Sequence, residues 1–168
     1  MSVEIDLKPK DTLKWFIVMV GLPGSGKSTM AKKLAHEFPN TSILSTDAII
    51  ESRAIQQRKC YNDVFKEEIA SATKLVQQNM DFYLKNGNSV IVDQTNLSAS
   101  KRKMLLSKVP KNYITMVFEV WTQEETRQAR MNARIGKTIP PYVDAEMQQR
   151  YESPNGDENF DLFIKQQT

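Results

Sequence analysis

The sequence predicts an α/β fold: a parallel β-sheet of four to five strands, flanked by helices and carrying a helical lid, in a single domain over residues 1–168. Three observations predict it. Short apolar runs alternate with longer segments of helical periodicity. The runs Trp15–Val20 and Val90–Val92 are apolar without alternation, as strands covered on both faces must be. Between the first run and the first helical segment stands Gly21-Leu22-Pro23-Gly24-Ser25-Gly26-Lys27-Ser28-Thr29, a Gly-x-x-x-x-Gly-Lys-Ser pattern in a strand–loop–helix setting.

The elements follow in order. Residues 1–14 read as a polar lead-in. The first strand spans 15–20, and the helix after the glycine-rich loop carries Met30, Leu34 and Phe38 on one face until Pro39-Asn40 ends it. Ile43-Leu44 forms a second strand, and Ser45, Thr46 or Asp47 caps a helix beginning near Ala48. The stretch from Ile50 to Cys60 is polar. From Asn62 or Asp63 a long helix runs to about Lys85, its stripe being Phe65, Ile69, Ala72, Val76, Met80 and Tyr83, and Asn86-Gly87-Asn88 stops it.

Ser89–Asp93 is the third strand, and Gln94-Thr95-Asn96-Leu97 is a loop. Ser98 or Ser100 caps the next helix, which runs to about Lys108. The cations Lys101, Arg102 and Lys103 near its start read either as a solvated face or as a contact for an anionic partner. Tyr113–Val120 is the fourth strand. Thr122-Gln123-Glu124-Glu125 has the spacing of a capping box, and the helix it opens presents Arg127, Arg130 and Arg134 on one face. Gly136 breaks that helix, Pro140-Pro141 opens another, and Phe160–Ile164 is a last short strand.

Composition narrows the function classes. With 40% hydrophobic and 26% charged residues the chain is that of an ordinary globular domain. Its 23 Lys and Arg against 20 Asp and Glu leave a charge of +3, compatible with an anionic substrate and too small to prove a nucleic-acid partner. Cys60 is the only cysteine and His36 the only histidine, which excludes an intramolecular disulfide and a Cys/His zinc site. The start lacks the pattern of a signal peptide and no apolar run approaches the ~20 residues of a membrane span, so a cytosolic setting and no membrane partner are expected. A homo-oligomer is compatible with the sequence and not specified by it.

In an open parallel sheet, ligands gather at the carboxyl ends of the strands. The loop's glycines let successive N–H groups turn inward around a phosphate, Lys27 suits the β- and γ-phosphates, and Ser28 suits Mg²⁺. The pattern therefore implies a bound nucleoside triphosphate. Asp93, after three apolar residues, is the candidate acidic group near the metal, with a turn-capping role as the alternative. Gln94 follows it where water-activating ATPases often carry Glu, and no Asn-Lys-x-Asp guanine-reading motif occurs; both absences favour transfer to an acceptor. Asp47 is a candidate general base or an N-cap. The arginine face is a candidate lid over about 123–141 that stabilises the transferring phosphoryl group, or a solvated helix face.

The glycine-rich loop through Ala31, Ser45-Thr46-Asp47, Val90-Ile91-Val92-Asp93-Gln94-Thr95-Asn96-Leu97 and the stretch from Arg130 and Arg134 to Pro140 resemble the kinase domain of phage and bacterial 5′-hydroxyl polynucleotide kinases. The likeness covers about residues 15–163, and the strand-end Asp with x-Thr-Asn is its most particular part. The resemblance implies a P-loop kinase-type sheet with a helical lid and ATP with Mg²⁺ as cofactors. It implies Gly21, Pro23, Gly24, Ser25, Gly26, Lys27, Ser28 and Thr29 around the nucleotide. It further implies Asp47 as base, Asp93, Thr95 and Asn96 around metal and acceptor, and Arg130 with Arg134 as lid arginines. An Arg that the family places three residues after the base is here Ile50, with Arg53 one turn further on as the candidate substitute. The implied activity is transfer of the ATP γ-phosphate to a hydroxyl of DNA or RNA, either a 5′ end or a hydroxylated modified base. A small-molecule acceptor (nucleoside, sugar or antibiotic) and a nucleotide-binding interaction module are the alternatives.

Overall fold

An apolar run can be buried on both faces only if helices cover both sides of the sheet, and the first strand shows this residue by residue. The computed structural model describes residues 13–168, so most of the polar lead-in expected over 1–14 lies outside the described residues. Along β1 (Lys14–Val20), Phe16, Val18 and Val20 face one core and Trp15, Ile17 and Met19 face the other. The first core is closed by Val76, Met80 and Leu84 of α3 (Tyr61–Lys85) and by Leu105 and Leu106 of α4 (Ala99–Ser107). The second is closed by Met30 and Leu34 of α1 (Lys27–Glu37) and by Phe38, whose ring meets Trp15 edge-on at 5.0 Å.

The remaining strands are β2 (Thr41–Leu44), β3 (Ser89–Val92), β4 (Tyr113–Trp121) and β5 (Leu162–Gln167). They pair in the order β2-β3-β1-β4-β5, every pairing parallel. All five carboxyl ends therefore open on one edge. The remaining helices are α2 (Thr46–Gln56), α5 (Glu124–Asn132) and α6 (Pro141–Gln149), with a 3-10 turn at Gly156–Glu158.

Four local expectations are corrected. The α3 stripe is shifted at its ends: Val64, Ala72, Val76, Met80 and Leu84 are the buried positions, while Phe65 is 39% exposed. The first turns of α3 pack on Ile50 and Ala54 of α2, and Val64 is the residue that reaches them. The polar stretch from Ile50 thus continues α2, with Ile50 in its core. The capping box at Thr122 does not form. Gln123 occupies the cap with no side-chain hydrogen bond, and the Thr122 hydroxyl donates instead to the Thr168 carbonyl at 2.8 Å. Finally, Arg102 is fully buried, neither solvated nor open to a partner. It donates bidentately to Glu158 of the 3-10 turn at 2.7 Å and through Nη1 to the carbonyls of Asn96 and Leu97 at 2.9 Å.

Candidate active site

The phosphate loop is built by three glycines in the left-handed region, Gly21, Gly24 and Gly26, at φ +154°, +82° and +98°. Gly26 is the N-cap of α1 and offers no side-chain cap, so the first N–H groups of that helix stay open toward the loop. Space is as tight as conformation at Gly24, where a Cβ would come within 2.8 Å of the Arg127 carbonyl oxygen. Backbone strain of ~1–3 kcal/mol at such a position is expected to weaken nucleotide binding about tenfold in Gly24→Ala. Gly156→Ala, with nothing within 4 Å of the added carbon, is the control. Titration with a fluorescent ATP analogue reads the difference; equal affinities would count against the cradle.

Arg127 braces this loop from outside. Its guanidinium is 2% exposed, donates to the Pro23 carbonyl at 3.1 Å, and is held bidentately by Asp144 of α6 and by Glu124. The hydrogen bonds from Arg127 hold the Asp144 carboxyl below its ordinary range against the effect of burial. The three arginines therefore do not form one lid face. Arg130 donates to the carbonyls of Gly24 and Ser25 and to the Thr168 hydroxyl at 2.8 Å. Arg134 lies beyond the end of α5, exposed and without an ion pair among the described residues. Arg130, Arg134, Thr168, Gly26, Thr29 and Met30 line a cleft of about 330 Å³ beside the loop.

On the sheet side stand Lys27, Ser28, Asp93 and Asp47. Lys27 is buried and donates to the Leu22 carbonyl at 3.1 Å. Burial pushes its ammonium down to about 8, opposed by the charges of Asp93 and Asp47. Asp93 follows β3, 7% exposed; burial raises its carboxyl, and the Ser28 hydroxyl and Lys27 act against that rise. The donor set fits a magnesium ion: Ser28 and Asp93 supply two hard oxygens, and the nearby Ser25 hydroxyl is buried with no partner among the described residues, as in a loop shaped for a polar ligand.

Asp47 is not the cap of α2. Ser45 takes that place, its hydroxyl accepting from Ala48 N–H at 3.2 Å, and Asp47 projects from the first helical turn. Its two oxygens are engaged separately. Oδ1 accepts from the Tyr61 hydroxyl at 2.8 Å and Oδ2 from Lys137 Nζ at 2.8 Å. Burial pushes the carboxyl up, but Lys137, Tyr61 and Lys27 together outweigh it and hold it below the ordinary range. Tyr61 shifts the other way, its hydroxyl pushed up by burial and by the Asp47 carboxylate.

Not every expected residue reaches this cleft. Thr95 does so through its backbone: its carbonyl accepts from Gly21 N–H at 3.1 Å and ties the loop after β3 to the phosphate loop. Asn96 is fully buried at φ +45°, and its amide donates to the carbonyls of Met19, Val92 and Gln94. Its side chain crossbraces strand ends and does not face the cleft. Arg53 points at α3, where it bonds Glu68 at 2.6 Å and the Ser71 hydroxyl, and so does not stand beside Asp47. Tyr61, Glu51 and Lys137 are the neighbours of Asp47 that sequence reasoning missed. The one available signal was that Lys137 is the only cation between Arg134 and Pro140.

The chain is similar to known proteins in sequence and in fold. The chain is 29% identical over 153 residues to the L-seryl-tRNA(Sec) kinase of Methanococcus maripaludis, covering 87% of this chain and 56% of that protein. It spans, then, little more than half the length of this curated relative. Among solved structures, a chain of the Pnkp1/Rnl/Hen1 RNA repair complex superposes with a TM-score of 0.62 at 22% identity, covering 82% of this chain and 44% of that one. A sugar kinase from Janibacter sp. HTCC2649 superposes with a TM-score of 0.60 at 22% identity, covering 92% and 84%. These likenesses show the P-loop kinase-type fold, five parallel strands with flanking helices. Given the phosphate loop, the acidic strand end at Asp93 and a match of the AAA domain family model over residues 16–154, the chain belongs to the AAA domain family.

Proposed function

We propose that this chain is an ATP-dependent kinase that transfers the γ-phosphoryl group to a hydroxyl of a nucleic acid. The observation that carries the reading is Asp47, a carboxylate in the first turn of α2, at the same carboxyl edge of the parallel sheet as the phosphate loop and Asp93, and bearing electrostatically on Lys27 and Asp93. Holding a nucleotide requires no such group; accepting the proton of an attacking hydroxyl does. In this reading Lys27 and the loop N–H groups hold the phosphates, and Ser28 with Asp93 would hold Mg²⁺. The ion, when bound, neutralises charge on the β- and γ-phosphates. Arg130 and Arg134, which line the cleft beside the phosphate loop, are in this reading the lid arginines that stabilise the transferring phosphoryl group. The nucleic-acid acceptor is supported by two relatives whose names refer to RNA, the seryl-tRNA kinase and the RNA repair complex.

A second reading, a small-molecule acceptor, is favoured by the surface of α2. Ile50 is fully buried, Arg53 is paired with Glu68, and Glu51 stands one turn after Asp47, so α2 offers no free cation for an acceptor phosphate. Incubation with γ-labelled ATP and a 5′-hydroxyl oligonucleotide, 5-hydroxymethyl-pyrimidine DNA, nucleosides or sugars separates the two. We expect label on a polynucleotide, with transfer falling steeply as salt rises because several phosphate contacts are lost together. Salt-insensitive label on a nucleoside or sugar establishes the second reading. ATP binding with no label on any acceptor leaves only a nucleotide-binding interaction module.

A further inference from the structure

Lys137 has an unusual station. Its ammonium lies 2.8 Å from Asp47 Oδ2, 2.6 Å from Glu51 Oε1 and 4.3 Å from the Tyr61 ring centroid, and its side chain is only 13% exposed. Asp47 and Glu51 are four apart on α2 and so project from one face of it. A hydroxyl approaching Asp47 meets Lys137 on one carboxylate oxygen and Tyr61 on the other.

The backbone around Lys137 is pinned. Asn62 N–H donates to the Gly136 carbonyl at 3.0 Å, and its side-chain amide donates to the Thr138 carbonyl at 3.0 Å and accepts from Thr138 N–H at 2.8 Å. Gly136 lies so close to Cys60 that an added Cβ would stand 2.5 Å from the Cys60 Cβ. With both neighbours held, the mobile part of Lys137 is its four-carbon side chain. A nearly buried ammonium leaves two carboxylates only for another anion, since an unpaired charge there is costly. Lys137 and Arg134 both bear electrostatically on Lys27, so all three cations share one field.

We propose that Lys137 is a side-chain gate that exchanges its Asp47–Glu51 bridge for the γ-phosphate of bound ATP. The exchange frees Asp47 for the acceptor hydroxyl only when a transferable phosphoryl group is present. It also removes the nearest positive charge from Asp47, making it a stronger base at the moment a base is needed. The hydroxyl oxygen then bonds to the γ-phosphorus, its proton passes to Asp47, and the bond to the β–γ bridging oxygen breaks with its electron pair leaving on ADP. The inference rests on the kinase reading.

The test needs no acceptor. Calorimetric titrations with Mg²⁺ and either a non-hydrolysable ATP analogue or ADP separate the γ-phosphate from the rest of the nucleotide. Lys137→Met is expected to weaken the ATP analogue about tenfold, the scale of one charge-assisted hydrogen bond, and to leave ADP within about twofold. Glu51→Gln, which loosens the bridge and leaves the lysine itself unsubstituted, is expected to tighten the analogue severalfold and again spare ADP. Equal effects on the analogue and ADP, or no effect in either variant, overturn the gate while leaving the nucleotide site standing. Failure of the unsubstituted chain to bind either nucleotide instead overturns the kinase reading.

Discussion

Asp47→Asn is expected to lower phosphoryl transfer by about 10²–10⁴-fold, the range of a lost general base, while ATP affinity is kept or, with the Lys137 bridge loosened, rises severalfold. The amide has nearly the same shape, can still accept from Tyr61, and cannot take a proton from the attacking hydroxyl. Asp47 also sits outside the phosphate loop, so the nucleotide loses no direct ligand. Single-turnover transfer from labelled ATP gives the rate and calorimetry the affinity. Turnover that survives the substitution removes Asp47 from the chemistry. A joint loss of turnover and ATP binding makes it a structural residue of the loop's surroundings.

Arg102→Met is expected to cost about 3–5 kcal/mol of stability, because it leaves the Glu158 carboxylate buried without its cation. For a chain of 168 residues that is a fall in melting temperature of roughly 6–20 °C. The carbonyls of Asn96 and Leu97 also lose their donor, so the loop that carries Asp93 toward the cleft loosens together with the fold. Combining it with Glu158→Leu removes the stranded charge and is expected to restore part of the loss; the two carbonyls keep the recovery incomplete. Urea unfolding of the single and double variants decides it. A double variant no more stable than the single one means that the ion pair is not what Arg102 contributes.

These two residues also show what was legible in the sequence. The order of strands and helices could be read because each apolar run is local and α1, α3 and α4 each stop just before a Pro or Gly, at Pro39, Gly87 and Pro110. The phosphate loop could be read because its chemistry is confined to nine consecutive residues, Gly21 to Thr29. Asp93 could be read at the carboxyl edge because it directly follows a strand whose direction was already known, and Asp47 because it stands in the first helical turn after another. Arg102 could not be read, because its partner Glu158 lies 56 positions away and its neighbours Lys101 and Lys103 make it look like one of three surface cations. Thr122 misled for a related reason: a capping box is a local pattern, and the end of β5 beside β4 claims that hydroxyl first. Arg53 and Ile50 fall where helical phase, not residue type, decides the direction, and α2 turns both away from Asp47.

The clasp at Asn62 has a mechanical consequence. It joins the segment between α5 and α6 to the first turn of α3, a helix of 25 residues and hence roughly 38 Å long. At the far end of α3 the Tyr113 hydroxyl, on the central sheet, holds the carbonyls of Leu84 and Asn88. Between these ends α3 is clamped by Val64 and Ala72 against α2 and by Val76, Met80 and Leu84 against the sheet, so the clasp fastens the backbone beside Lys137 to a braced rod. The long helix thus carries the rigidity of the sheet core out to the backbone that flanks Lys137.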